Sequence, residues 1–314
     1  MTESNEEINL AAARTEAEWL ARLDEIADDH GAFIPLGAHH AAFFADGNDT
    51  LLVSFETVET IRKTRDDHSP LGWRIAQQHG WSSLVLLARA PRWYRDSEVL
   101  DFFDAQIDAA FFDSFSRVLF FGAGMAGYAA CAFSVAAPGA TVLAIAPQAT
   151  LDPEIAPWER RFKPQRRLDF RTRFGFAPEM VDGAGAVFVV YDSTNKTDAM
   201  HATLFRRPSV TMLRSPALGP ETVAGLDRLG VLDTLIQTAI RGRLTPARFH
   251  DLMRKRREDP TYLKELVKRV AKANHPALTV VAAKQALALE NSTGIRKHLE
   301  RAEKCLDAAL DHGD

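Results

Sequence analysis

Residues 118–130 read Val118-Leu-Phe-Phe-Gly-Ala-Gly-Met-Ala-Gly-Tyr-Ala-Ala130. The apolar residues predict a strand, the glycines predict a tight turn, and the small residues that follow predict a helix. A strand that passes through a glycine-rich turn directly into a helix is typical of α/β proteins, which hold a phosphate or present a nucleophile at such a corner. The stretch therefore predicts an α/β fold with a candidate site at this corner.

Short apolar runs continue on both sides of the corner and alternate with helical segments. Most of these runs are continuously hydrophobic, as expected of strands buried on both faces of a parallel sheet. The alternation predicts a mostly parallel, doubly wound sheet. The predicted strands are Leu51–Phe55, Ser83–Ala88, Val118–Phe121, Thr141–Ala146, Ala186–Tyr191 and Val210–Leu213. The predicted helices between them are Ser97–Phe112, Met125–Ala136, Lys196–Phe205 and Glu221–Ile240.

The pattern along the chain predicts three units. Residues 1–50 form an N-terminal helix and a short hairpin that pack on the core. Residues 51–240 form the α/β core, which carries an insertion rich in arginine and aromatic residues at 152–181. Residues 241–314 lack strand signals and form a helical C-terminal extension.

The composition is that of an ordinary globular protein, with 46% hydrophobic and 25% charged residues among 314. A net charge of −4 gives no argument for binding nucleic acid or an anionic membrane. No apolar run approaches the roughly 18 residues that span a bilayer, and no secretory signal is visible. The two cysteines, Cys131 and Cys305, argue against a disulfide framework and a zinc site. We expect a cytoplasmic protein without a bound metal, and the oligomeric state is left open.

Two functions compete for the glycines of the corner, and the first is dinucleotide binding. Gly122-Ala-Gly124-Met-Ala-Gly127 matches G-x-G-x-x-G, which holds a pyrophosphate on backbone N–H groups. Such a site also needs an acid at the end of the next strand, but that strand ends in Ala146-Pro-Gln148. The first acid, Asp152, comes several residues too late. We therefore predict no cofactor and keep a nucleotide as the alternative.

The second interpretation aligns the corner with the nucleophile elbow G-x-S-x-G. Here the chain resembles α/β-hydrolase-like proteins, whose elbow reads roughly G-x-S-M-G-G-Y-A. The matching residues are Gly122, Met125, Gly127, Tyr128 and Ala129, and the next strand ends in Pro-Gln as well. The resemblance covers roughly residues 50–235. It implies the strand order of the α/β-hydrolase fold.

The chain departs from that family at the reacting groups. Gly124 stands at the nucleophile position, and Ala126 replaces a glycine. The family's chain order puts the triad acid at Asp192 and a histidine after the last strand, but Arg214-Ser-Pro-Ala-Leu-Gly-Pro-Glu221 has no histidine. Without a nucleophilic hydroxyl at position 124 and a histidine to act as its base, the corner has no residues for nucleophilic hydrolysis. We predict a catalytically degenerate hydrolase-like protein that binds an anionic small molecule or a protein partner.

The predicted ligand-binding residues belong to the corner and to the arginine-rich insertion. Arginine interleaved with aromatic side chains suits a phosphate, sulfate or carboxylate, although such a segment also suits a solvated surface. The residues are Gly122, Gly124, Met125, Tyr128, Gln148, Arg160 and Arg161. A second basic run, Arg254-Lys-Arg-Arg257, is predicted to be a solvated helix face, with no nucleic-acid partner.

Two alternatives retain catalysis. Asp198 and His201 are three residues apart on a predicted helix and share a face, so a transferase or hydrolase could act on an anionic substrate through them. The arrangement also resembles a proteobacterial group sometimes labelled phosphoadenosine phosphosulfate reductase. That reductase family implies an S-x-G-K-D-S-like loop and a C-terminal cysteine beside Gly and His, whereas Cys305 lies in Glu303-Lys-Cys-Leu-Asp307.

Overall fold

The protein is described by a computed structural model that covers residues 8–218 and 222–311. Eight strands form one sheet, in the order β1-β2-β4-β3-β5-β6-β7-β8. β2 runs antiparallel to β1 and β4, and all other neighbours are parallel. The strands are β1 Gly31–Leu36, β2 His40–Ala45, β3 Asn48–Thr57, β4 Trp81–Ala88, β5 Arg117–Ala123, β6 Thr141–Ile145, β7 Ala186–Tyr191 and β8 Val210–Arg214. This is the strand order of the α/β-hydrolase fold, which confirms the predicted fold class.

Helices cover both faces of the sheet and continue beyond it. They are α1 Glu16–His30, α2 Val58–Thr64, α3 Leu71–His79, α4 Ser97–Asp108, α5 Met125–Phe133, α6 Ala177–Met180, α7 Lys196–Leu204, α8 Thr222–Arg228, α9 Leu232–Ile240, α10 Pro246–Leu252, α11 Pro260–Lys272, α12 Pro276–Leu289 and α13 Thr293–Asp311. None of these helices is both long and apolar enough to cross a membrane.

Two apolar layers sandwich the central strands. Successive side chains of a strand point to opposite faces, so Phe120 of β5 enters one layer, while Leu119 and Phe121 enter the other. The first layer holds α4 and α5, and the second holds α3, α8 and α9. The continuous hydrophobicity of the strands follows from this burial on both faces.

The flanking units join this core. The β1–β2 hairpin extends the sheet through β4, and Trp19 of α1 packs in a third cluster with Phe43 and Val85. At the other end, Phe249 of α10 and Val267 of α11 are buried in the second layer. The unit boundaries at 50 and 240 stay predictions.

One predicted helix is wrong. Residues 222–240 form two helices, α8 and α9, because Gly230 adopts φ +60° and closes α8. The Gly230 N–H donates to Asp227 O, and the Val231 N–H donates to Leu226 O. Glu221, the predicted start, lies outside the described residues.

Candidate functional site

The corner between β5 and α5 is a sharp turn from strand to helix at Gly124. Gly124 lies between strand and helix with φ 57° and ψ −120°, which L-residues adopt only under strain. Its N–H donates to Ile145 O at 2.9 Å, and its carbonyl accepts the Tyr128 N–H at 2.9 Å. A Cβ placed on Gly124 would meet no atom within 4 Å. The turn therefore presents open space where a nucleophilic side chain would stand.

The other two glycines of the motif allow α5 to lie close to the sheet. A Cβ on Gly122 would be 2.2 Å from Ala126 O. A Cβ on Gly127 would be 3.2 Å from both Gly122 O and Ile145 O. Close helix–strand packing thus explains both glycines without a bound nucleotide.

The first N–H groups of α5 are free at this corner. In the described part of the chain, the N–H groups of Met125 and Ala126 donate no hydrogen bond. The positive end of the α5 dipole adds to their attraction for a negative group. The Met125 side chain is half-buried against the first layer. The corner therefore carries two backbone donors without an acceptor among the described residues.

Tyr128 and Gln148 lie behind this corner. Tyr128 is fully buried, and its hydroxyl donates to Gly175 O at 2.9 Å, so it fastens the end of the arginine-rich insertion to α5. Burial raises the pKa of the Tyr128 hydroxyl. Gln148, which follows β6, is 4% exposed, and its Oε1 has no hydrogen-bond partner among the described residues. The ligand-binding role predicted for both stays a prediction.

Asp192, which we predict at the position of the triad acid, directly follows β7 and is 1% exposed. Its Oδ1 accepts the N–H of Thr194 at 2.8 Å and the Thr194 hydroxyl at 2.5 Å. Both carboxylate oxygens accept the Ala217 N–H at 3.2 Å. Ala217 has φ +69°, so the carboxylate holds a strained turn after β8.

An arginine, and no histidine, contacts that acid. Arg269 of α11 places Nη2 3.7 Å from Asp192 Oδ2, and it also donates to the Thr194 hydroxyl. No described histidine pairs with Asp192. An arginine stays protonated in proteins, so it cannot take a proton from a nucleophile. The C-terminal extension therefore supplies a cation to the acid in place of a general base.

Asp198 and His201 belong to a buried network. His201 is fully buried, its Nδ1 accepts the Ala149 N–H at 3.2 Å, and its Nε2 lies 3.0 Å from Glu159 Oε2. Because Nδ1 accepts a hydrogen bond, we assign a neutral ring that donates from Nε2. Arg161 bridges Glu159 and Asp198 at 2.7 Å each. Asp198 and His201 are thus linked only through Arg161 and Glu159.

Glu159, which sequence reasoning passed over as a charge among the arginines, is the centre of this network. Burial alone would raise its pKa, but hydrogen bonds from His201 and Arg161 outweigh burial and lower the pKa to about 2. Glu159 and His201 are 42 positions apart in sequence, so no local pattern signals the contact. The network joins the insertion to α7.

We expect Glu159 to stabilise the fold in a pH-dependent way. A depressed folded-state pKa gives stability that is complete above the ordinary value of 4.5 and is lost as pH falls toward about 2. In urea unfolding at pH 6, Glu159→Gln should lower the free energy of unfolding by about 2–3 kcal/mol, and at pH 3 by about half of that. The exposed Glu179→Gln is the control, with a change below about 0.5 kcal/mol. An equal loss at both pH values would contradict the assignment.

The arginine-rich insertion is neutralised within the chain at several positions. Arg171 pairs with Asp152 at 2.6 Å, and Arg173 pairs with Asp101 at 3.5 Å. Of the two arginines predicted to bind a ligand, Arg161 is committed to the buried network, whereas Arg160 is exposed and has no partner among the described residues. The insertion is therefore fixed to the surface through its paired arginines, and Arg160, next to Arg161 in sequence, is one of its unpaired cations.

Glu56 is a half-buried acid that the sequence did not single out. The pairing of β3 with β5 ends at Ser54 and Phe121, two residues before Glu56. Its carboxylate accepts the N–H groups of Leu71 and Gly72 at 2.8 Å, at the start of α3. Burial raises its pKa despite these bonds. Glu56 therefore caps α3.

Among the described residues, no group of three or more His, Cys, Asp or Glu side chains could hold a metal ion. For a nucleotide, the carboxylate nearest in sequence to the end of β6 is Asp152, and it is paired with Arg171. Arg171 therefore neutralises the first acid after β6, and a nucleotide at this corner stays an alternative.

No protein-family model and no curated protein matches the chain. Solved structures do match. The thermophilic carboxylesterase EstE1 from a metagenomic library is 12% identical with a TM-score of 0.44, covering 74% of this chain and 99% of its own. The capsule O-acetyltransferase of Neisseria meningitidis serogroup A is 10% identical with a TM-score of 0.40, covering 64% and 94%. A chain of the Gap123 glycosylation-associated complex of Streptococcus agalactiae is 14% identical with a TM-score of 0.43, covering 65% and 45%. Since these TM-scores are below 0.5, the fold assignment rests on the strand order described above.

Proposed function

We propose that the protein is a catalytically inactive α/β-hydrolase-like protein that binds an anionic group at the corner around Gly124. The ligand is a small molecule, or a side chain of a protein partner. The observation that carries this proposal is the backbone of Gly124, which keeps the conformation of an elbow and has open space where a Cβ would be. A site that retains this turn without a side chain can bind at the turn, but it cannot attack there.

The surroundings of Asp192 support the absence of catalysis. In a triad, the acid orients the histidine that takes the proton of the nucleophile. Here the carboxylate accepts hydrogen bonds from Thr194 and Ala217 and faces Arg269. These contacts hold the loops that follow β7 and β8, and none of them includes a group that could accept a proton from a nucleophile.

The anionic character of the ligand follows from the donors at the corner. The N–H groups of Met125 and Ala126 are free and lie at the N-terminus of α5. Backbone N–H groups at a helix start favour phosphates and carboxylates.

The two catalytic alternatives have less support. Both ring nitrogens of His201 are engaged, by Ala149 and Glu159, and the ring is fully buried. A general base must reach the proton that it abstracts, and this ring has no free nitrogen. For the reductase alternative, Cys305 is exposed and lies within α13.

Binding at the corner can be tested through one N–H group. Met125 is the first residue of α5, where proline is tolerated, and the preceding glycine is free of the Cβ clash that proline causes. Met125→Pro therefore removes the N–H and should leave the helix intact. We expect an anion among acetate, citrate and phenyl phosphate to raise the Tm of the wild-type chain by about 5 °C near saturation. In Met125→Pro the rise should fall to about 1 °C.

Met125→Ala is the matched control, because it loses the same side chain and keeps the N–H. Its ligand-induced rise in Tm should equal that of the wild type. A rise that persists in Met125→Pro, or a panel in which no anion changes the Tm, would contradict binding at the corner.

A further inference from the structure

A second concave site lies away from the corner, where α10 ends. A cavity of about 340 Å³ opens between the end of α10 and the short 3₁₀ turn Met253–Glu258. Phe249 and Met253 of this region pack in the second apolar layer, whereas α5 packs in the first. The two sites are therefore on opposite faces of the sheet. The residues that line the cavity are His250, Asp251, Met253, Arg254, Arg256 and Arg257.

The lining carries an excess of positive charge that the chain does not neutralise. Three arginines and a histidine face a single acid, Asp251, which lies 4.0 Å from Arg254 with both side chains mostly exposed. An exposed pair at that distance contributes little. Among the described residues, Arg256 and Arg257 have no carboxylate partner. In the arginine-rich insertion, Arg161, Arg171 and Arg173 are paired with carboxylates, whereas Arg160 is not paired within the described ranges.

The backbone that carries these arginines is held in place. Met253 is 3% exposed and anchors the start of the turn. Arg257 O accepts a hydrogen bond from Gln285 of α12. Asp259, directly after the turn, binds Arg228 of α8 at 2.9 Å. The guanidinium of Arg256 lies 5.4 Å from the centre of the Tyr262 ring, which orients it. Such a preorganised site loses little conformational freedom when it binds.

We propose that this cavity binds a phosphate group of a phosphorylated small molecule. Guanidinium groups match the oxygens of phosphate in bidentate pairs. The cavity volume is at the lower end of small-molecule sites, which are about 300–1,000 Å³. The basic run is confined to one short turn of a chain with net charge −4, so it offers no track for successive phosphates of a nucleic acid. The site is independent of the function proposed for the corner.

Pyrophosphate is the probe, titrated calorimetrically into the full chain at about 50 mM salt, where Debye screening is limited. We expect a dissociation constant below about 1 mM for the wild type and binding at least about tenfold weaker for the double variant Arg254→Gln, Arg257→Gln. Arg206→Gln, Arg301→Gln is the matched control, since both side chains are exposed and remote in sequence from the cavity. The control should stay within about twofold of the wild type.

Three results would overturn the proposal. The first is no heat of binding for the wild type up to about 5 mM pyrophosphate. The second is equal binding in the wild type and the cavity variant. The third is a DNA duplex that binds and is weakened by the cavity variant while pyrophosphate does not bind, which would assign the basic run to nucleic acid. Circular dichroism of each variant checks that the exposed substitutions leave the fold intact.

Discussion

Replacing Asp192 by alanine should lower the free energy of unfolding by about 3–5 kcal/mol. The substitution leaves the N–H groups of Thr194 and Ala217 without their acceptor, and it leaves Arg269 beside an empty site. Asp192 is 1% exposed, so water cannot replace the carboxylate readily. Ala217 would then hold φ +69° without its anchor.

Guanidinium unfolding followed by circular dichroism measures this loss. Asp182→Ala is the matched control, because Asp182 also pairs with an arginine, Arg207, but is 61% exposed. The control should lose less than about 1 kcal/mol. If Asp192→Ala costs no more than Asp182→Ala, the acid is not a structural anchor, and the assignment of its role is wrong.

Gly122→Ala should destabilise the fold more than Gly124→Ala, a substitution in the same turn. Its Cβ would lie 2.2 Å from Ala126 O and 2.5 Å from Ala126 C. These are backbone atoms of α5, so relief requires that the helix move off the sheet. We expect a loss of at least about 4 kcal/mol, beyond ordinary overpacking.

Gly124→Ala is the comparison for that change. Its Cβ meets open space, and the cost comes only from the backbone at φ 57°, about 1–3 kcal/mol. Thermal unfolding of both variants, together with the yield of soluble protein, gives the ranking. Equal stability of the two variants would contradict the close contact between Gly122 and α5.

Much of the sheet can be predicted from the sequence, because a strand buried on both faces is hydrophobic along its whole length. The run at 186–191 is apolar at every position, and β7 has the same bounds, Ala186–Tyr191. The sequence predicts one helix across Gly230 where the structure has two, because the residues on both sides of this glycine follow the same helical pattern. Gly230, whose backbone lies in the left-handed region, separates α8 from α9.

The contacts of the site could not be predicted in the same way. Arg269 reaches Asp192 from a helix 77 positions later in the chain, and His201 finds Glu159 across 42 positions. Such pairs depend on how elements pack, and a periodicity within one element carries no information about them. The sequence by itself shows that position 124 is a glycine and that residues 214–221 contain no histidine, and the loss of catalysis inferred from them stays a prediction.

The central claim is that the corner around Gly124 performs no nucleophilic catalysis. Incubation of the purified chain with a fluorophosphonate probe, followed by mass spectrometry of its peptides, tests this directly, with an active serine esterase in the same buffer as the positive control. The account predicts that the esterase is labelled and that no serine of this chain forms an adduct. A covalent adduct on any serine at the edge that carries Gly124, such as the buried Ser215 after β8, would contradict it.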